Sequence, residues 1–146
     1  MTQVQPLSAE HRAQLERQRT WVRDHYEPHA RDQFETAAGK LRVIDAILKN
    51  GWVAPEETWK LQSLGIAFGD AIAEHLGLSW VTVEDEYGRD PALQLPGTTM
   101  LLFPMTSLSK RIEQGGRVDV FELFESACER VRQVRAEIGD DAGPPA

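Results

Sequence analysis

Asp85, Arg89 and Asp90 fall within one short run, Glu84-Asp85-Glu86-Tyr87-Gly88-Arg89-Asp90. Carboxylates beside a guanidinium suit three kinds of chemistry. A carboxylate serves as general base toward a substrate whose anionic group an arginine or lysine holds. Clustered carboxylate oxygens ligate a hard cation. An acidic loop docks a basic protein through electrostatic steering. Asp70 upstream and Lys110 and Arg111 downstream would complete a mixed-charge pocket, with Asp70 or Asp85 orienting an anionic group on Arg89, Lys110 or Arg111. The cation reading is the weakest. Calcium loops space their ligands at alternate positions around a midway glycine and end on a bidentate glutamate, which this run does not do. Strand alternation also puts Glu84 and Glu86 on one face and Asp85 on the other. Tyr87 and Arg89 flank Gly88 and can close a hydrogen-bonded turn around Asp85 or Asp90.

Other reactive side chains read as structural. His25 and His29 have a helical zinc-ligand spacing, but Pro28 between them breaks the turn they would share, and no third ligand is near in sequence. His75, late in a helical pattern, suits the negative end of the helix dipole. Cys128 is the only cysteine and continues the stripe Phe121, Phe124, Cys128, Val131, so it reads as a small core residue. There is no nucleophile elbow, phosphate loop, dinucleotide fingerprint or Cys-x-x-Cys pair. No metal and no cofactor is expected. Trp52 and Trp59 are expected to fill the corner between two helices.

The elements that position these groups follow from periodicity. Ser8 caps a first helix running to about Tyr26, with Leu15, Trp21, Val22 and Tyr26 on its apolar side. A second spans about Asp32 to Asn50 through Phe34, Ala38, Leu41, Ile44 and Leu48. Pro55-Glu56-Glu57 opens a third that ends at Gly77. Within it Gly65, Gly69 and Ala73 recur every four residues, and a mid-helix glycine costs about 1 kcal/mol relative to alanine. That stripe predicts a close packing partner. The period then changes to extended: strands over Trp80–Glu84, Ala92–Leu95 and Thr98–Phe103, joined by a hairpin at Gly88 and a Pro96-Gly97 turn. Pro91 suits a strand edge. The unbroken Met100-Leu101-Leu102-Phe103 predicts burial on both faces. Pro104 ends the strand, Thr106 or Ser107 caps a short helix over Leu108–Gln114, and Asp119 caps the last helix. Residues 139–146 read as a frayed tail. The fold class is α+β: N-terminal helices, a three-stranded antiparallel meander, then a short helix and a C-terminal helix packed on the sheet. Residues 1–138 are expected to form one domain, with a helical arm over residues 8–50.

Composition narrows the partners. The chain has 146 residues, 41% hydrophobic and 27% charged, with 16 Lys plus Arg against 23 Asp plus Glu and a net charge of −7. Such a balance repels a phosphate backbone, so nucleic acid is not an expected partner. Residues 43–104 hold 3 basic and 9 acidic side chains, against 7 and 6 in residues 1–42. No stretch approaches the ~20 apolar residues of a membrane helix. Met1-Thr2-Gln3-Val4-Gln5-Pro6 lacks a basic and apolar leader, so the expected address is the cytoplasm.

Three blocks carry a resemblance: Leu64-Gly65-x-x-Phe68-Gly69-Asp70; Leu76-Gly77-Leu78-x-Trp80-Val81-x-Val83-x-Asp85-Glu86-Tyr87-Gly88-Arg89-Asp90-x-Ala92-Leu93; and Phe103-Pro104 with Ser109-Lys110-Arg111-Ile112-Glu113 and Val118-Asp119. Over about residues 55–125 the chain is similar to an uncharacterised family of small bacterial domains of unknown function. The resemblance implies a real fold unit and carries over no catalytic residue.

The expected function is therefore that of a non-enzymatic binding module, a toxin-neutralising or regulatory adaptor. Its acidic hairpin would meet a basic protein, with Trp80 or Trp59 as apolar anchor. The alternative is a hydrolase-like enzyme using Asp70, Asp85 or Asp90 as base and Arg89 or Lys110 as anion holder. A third reading makes the hairpin purely structural, locked to Lys110 and Arg111 by salt bridges, with the N-terminal helices as the docking element.

Overall fold

A computed structural model describes residues 2–115 and 117–141. The chain runs β1 (Gln3–Pro6), α1 (Ala9–Arg23), a 3-10 segment (Pro28–Glu35), α2 (Ala37–Lys49), α3 (Thr58–Leu76), β2 (Ser79–Asp85), β3 (Gly88–Gln94), β4 (Leu101–Leu102), α4 (Pro104–Glu113) and α5 (Val120–Asp141). It is an α+β fold in which helices cover an antiparallel sheet.

The sheet has four strands in the order β1-β2-β3-β4. The additional strand, β1, is one the sequence reading missed. β1 pairs antiparallel with β2, Gln3 opposite Glu84 and Pro6 opposite Val81, so β2 lies inside the sheet. Four polar or isolated apolar residues carry no strand signal of their own; β1 is a strand because β2 offers it a ladder. β4 is shorter than expected and pairs only at Leu93–Leu102 and Gln94–Leu101. The Met100–Leu102 run is half-buried and Phe103 exposed, so the expected burial on both faces does not occur. Because β4 is so short, β3 is an edge at Pro91, where a missing amide disturbs no outer ladder.

Local signals decided most helix ends. The Ser8 hydroxyl accepts the His11 amide at 3.1 Å and so caps α1. Asp119 Oδ1 accepts the Phe121 and Glu122 amides, both at 3.1 Å, and caps α5. Gly77 closes α3 at φ 75°. Elsewhere the boundaries differ from expectation. The second helix is split: Pro28 opens the 3-10 turn, and Thr36 starts α2 by accepting the Gly39 amide at 3.0 Å. α4 begins at Pro104 itself, whose fixed φ suits a first helical turn. α5 continues to Asp141, so residues 139–141 belong to a helix; 142–146 lie outside the described residues.

α3 is the hub. Its buried face of Leu61, Leu64, Phe68, Ala71 and Ile72 joins Ile44 and Ile47 of α2, Leu93 and Leu95, and Phe124, Cys128 and Val131 of α5 in the main core. Cys128 is thus a core residue, and burial raises its thiol pKa above the ordinary value. A second, smaller cluster joins Leu15 of α1, Ile66 of α3 and Met105 of α4.

The small-residue stripe on α3 answers to packing. A Cβ at Gly65 would lie 2.5 Å from the Pro104 carbonyl oxygen and 2.7 Å from Met105 Cα, so the start of α4 rests on bare backbone. A Cβ at Gly69 would meet the Pro104 ring at 2.6 Å and the Trp80 indole at 2.9 Å. We expect Gly65→Ala to destabilise the fold by about 1–3 kcal/mol, since backbone cannot yield as side chains do. Gly69→Ala should cost less, because a tilted indole relieves part of the clash. Urea denaturation checks both; a neutral Gly65→Ala would contradict the close approach.

Candidate functional site

Asp70 and Trp80, ten residues apart, come together at the surface where α1, α3 and β2 meet. The Trp80 indole N–H donates to Asp70 Oδ1 at 2.8 Å. Arg19 of α1 grips the same carboxylate with both arms, Nε to Oδ2 at 2.6 Å and a terminal nitrogen to Oδ1 at 3.0 Å. Its other terminal nitrogen donates to Glu16 at 3.0 Å. Burial alone would lower the Arg19 pKa, but the hydrogen bonds and charge of Asp70, with Glu16 adding to them, raise it above its usual value. The Asp70 side chain is 11% exposed. Three donors on one carboxylate make an anchor, and a general base would first have to give one up.

This knot borders a polar cleft of about 720 Å³ between α1, the 3-10 segment, α2 and α3. Most of the charges on its walls are engaged in ion pairs, Asp32 and Glu35 being the exceptions among the described residues. Lys40 is buried, with Nζ donating to Glu74 at 2.8 Å and lying 5.2 Å from the centre of the Phe34 ring. Arg23 donates to Asp24 Oδ1 at 3.0 and 3.1 Å. Arg31 Nε approaches the same oxygen at 3.4 Å without hydrogen-bond alignment and is buried with no acceptor.

Sequence reasoning missed Arg19, Glu74 and Lys40. Lys40 had a signal: it stands on the stripe Lys40, Val43, Ile44, Ile47, a lysine in a core-facing position. Gln18 had the same one, between Leu15 and Val22. It is fully buried, donating to the Trp59 carbonyl at 3.2 Å and accepting from Gln14 at 3.1 Å. Arg19 had none, since its partner lies 51 residues away.

The acidic hairpin is a separate place. Five residues of β2 separate Trp80 from Asp85, about 17 Å of strand, so Asp70 and Asp85 do not converge. Glu86 and Tyr87 form the tip. Asp85 Oδ1 accepts the Tyr87 amide at 2.8 Å, an Asx-type closure that fixes the loop. Tyr87 is 88% exposed, and Glu86, Arg89 and Asp90 are exposed beside it. Lys110 and Arg111 do not join them. Both are exposed near the end of α4, and among the described residues no ion pair links either to the hairpin. The expected helix-to-hairpin salt-bridge lock is absent there; α4 is held by its first turn on Gly65 and by Ile112 against the main core.

The tryptophans give another correction. Trp52 is 54% and Trp59 46% exposed, so neither is the core filler expected. They end a row of rings: Trp52 stacks on His25 at 6.1 Å, His25 meets Trp21 edge-on at 4.6 Å, and Trp21 meets Trp59 edge-on at 6.0 Å. His25 is held by a 2.9 Å contact of Nδ1 with the Trp21 carbonyl, while His29 sits 3.5 Å from Glu27. No group of three or more potential metal ligands occurs among the described residues. No described helix is long and apolar enough to cross a membrane.

Sheet order, helix order and the knot on α3 define a class of α+β domain, and comparison places it. The chain belongs to the family described as a domain of unknown function, DUF3806, which it matches over residues 40–124. The match takes in α2, α3, the sheet from β2 onward and α4, and excludes Arg19 and Trp21. A protein from Bacteroides thetaiotaomicron VPI-5482, known from its crystal structure, shares the fold with a TM-score of 0.72 at 17% identity. The alignment covers 88% of this chain and 48% of that one, so the chain spans about half the length of that relative. No curated protein matches the chain.

Two stability predictions follow from the geometry. Asp70→Ala removes three charge-assisted hydrogen bonds, two of them from Arg19, and leaves Arg19 half-buried without this partner. We expect a loss of about 2–3 kcal/mol in urea denaturation, and Arg19→Ala should add little more in the double variant. Full additivity would show that the pair is not coupled. At the start of α3, the hydrogen bond from Lys60 and then the Ala54 amide, at 2.9 Å, hold the Glu57 carboxyl below its ordinary 4.5. A depressed carboxyl stabilises the fold above its unfolded value and loses that contribution as pH falls through the folded one. The stability difference between wild type and Glu57→Gln should therefore shrink below about pH 4.5; a difference that persists at pH 2 would contradict it.

Proposed function

We propose that the chain is a non-catalytic protein-binding module, and that the tip of the β2–β3 hairpin takes a basic protein partner. The observation that carries this reading is Tyr87, presented almost wholly to solvent on a loop that Asp85 holds closed. Aromatic side chains with few rotatable bonds make good contact residues, and a fixed loop has little freedom left to lose on binding. Exposed Glu86 and Asp90, on a chain of net charge −7, steer a positively charged partner toward it. A toxin-neutralising or regulatory adaptor fits this chemistry.

The anchor for that surface is Tyr87. Trp80 spends its indole N–H on Asp70. Trp59 lies at the far end of the molecule: Thr82 meets Ser8 and His11 at the start of α1, Trp80 lies beside Arg19 further along it, and the hairpin extends the other way. The hydrolase-like alternative, with Asp70, Asp85 or Asp90 as base, draws less support, because Asp70 is held by three donors and Asp85 by its own loop.

Affinity capture with wild type and with a Tyr87→Ala, Asp90→Asn double variant tests the proposal. We expect partners that elute with salt and bind the variant at least about tenfold more weakly, equivalent to about 1.4 kcal/mol. Retention of the same partners at equal strength would sink the hairpin as the recognition surface.

A further inference from the structure

The ring row Trp52, His25, Trp21, Trp59 lies on the other flank of α1 from the polar cleft. At about 100° per residue, Trp21 points away from Glu16, Arg19 and Arg23, with buried Leu15, Gln18 and Val22 between the two sides, and His25, just past the end of α1, stays with Trp21 through its ring and carbonyl. α1 lies across α3: Gln18 reaches the Trp59 carbonyl while neighbouring Arg19 reaches Asp70, about 16 Å further along α3. The rings therefore occupy one end of the fold, where the C-terminal end of α1 meets the loop before α3.

We propose that this row is a second recognition surface, and that its occupant is an arginine side chain from an extended segment of a partner protein. Half-exposed Trp52 and Trp59, joined through His25 and Trp21, form a row of rings, the kind of surface that marks an interaction site. Indole faces carry negative quadrupole potential and attract a cation, arginine above all, since its planar guanidinium also stacks. No cation of the chain occupies them: the cation–π contact among the described residues is Lys40 on Phe34. The neighbouring exposed carboxylates are Glu27, two residues past His25, and Glu56, between the two outer tryptophans. Lys60 is engaged by Glu57. Arg17, one turn before Trp21, is the nearby basic residue with no ion pair among the described residues. The net charge of −7 disfavours both an anionic lipid surface and a second molecule of this chain.

The probe is a hexa-arginine peptide, titrated at physiological salt by tryptophan fluorescence and by calorimetry. Hexalysine and hexaglutamate serve as comparisons. We expect hexa-arginine to bind, hexalysine to bind several-fold more weakly, and hexaglutamate not to bind. A Trp52→Ala, Trp59→Ala variant should lose at least tenfold in affinity while its circular dichroism stays native, as half-exposed side chains allow. Glu27→Gln with Glu56→Gln, which touches no packed ring, should lose about threefold. The hairpin variant Tyr87→Ala, Asp90→Asn should bind the peptide as wild type does. If instead the hairpin variant loses the peptide and the tryptophan variant keeps it, the ring surface is overturned and the hairpin reading stands. Equal binding by all three variants, or wild-type dimers that the tryptophan variant dissociates, would also overturn the proposal.

Discussion

Gly69 has no side chain, and much of the architecture depends on that vacancy. Its bare Cα lets the Trp80 indole and the Pro104 ring lie against α3. The indole N–H then falls on the next residue's carboxylate, and Asp70 in turn fixes Arg19. One close approach thus couples the sheet, the central helix and the first helix, and Gly65 repeats it one turn earlier for the start of α4. Two glycines in a helix interior lower its intrinsic stability, so the packing they permit must outweigh that cost.

The charges divide by the same logic. Those near α3 are matched inside the molecule: Arg19 to Asp70, Lys40 to Glu74, Arg23 to Asp24. Charges held this way order the helices and have little left for a solute. Arg31 Nε, buried in the cleft wall without an acceptor, is the exception there, and other side chains with unspent capacity lie at the hairpin tip and along the ring row. The strand carrying the hairpin continues past Thr82 away from the helices, while Trp21 and the following His25 lie toward the other end of α1.

Much of this was legible in the residues. Ser8, Asp119 and Gly77 act within a few positions of themselves, and the stops and starts they signal are found where expected. The glycine stripe demanded a close neighbour and has one. What failed to show was set by partners remote in sequence. β1 is a strand through β2, some 79 residues on, and Arg19 is functional in the fold through Asp70, 51 residues on. Trp52 and Trp59 misled because a large ring predicts burial from its own hydrophobicity, whereas exposure depends on whether another element reaches it. Lys110 and Arg111 misled because proximity along the chain was taken for proximity in space: among the described residues neither forms an ion pair with the hairpin.

The placement of β1 has a consequence for how the chain assembles. Its ladder partner emerges from synthesis only after α1, α2 and α3, so the β1–β2 ladder cannot form until then. The β2–β3 hairpin, closed by two residues, forms at far lower loop entropy than the β1–β2 pair. Loop closure therefore favours the hairpin over the β1–β2 pair, and in the folded chain β1 works as a latch: beside its ladder on β2, Ser8 and His11 meet Thr82 and tie the start of α1 to the sheet.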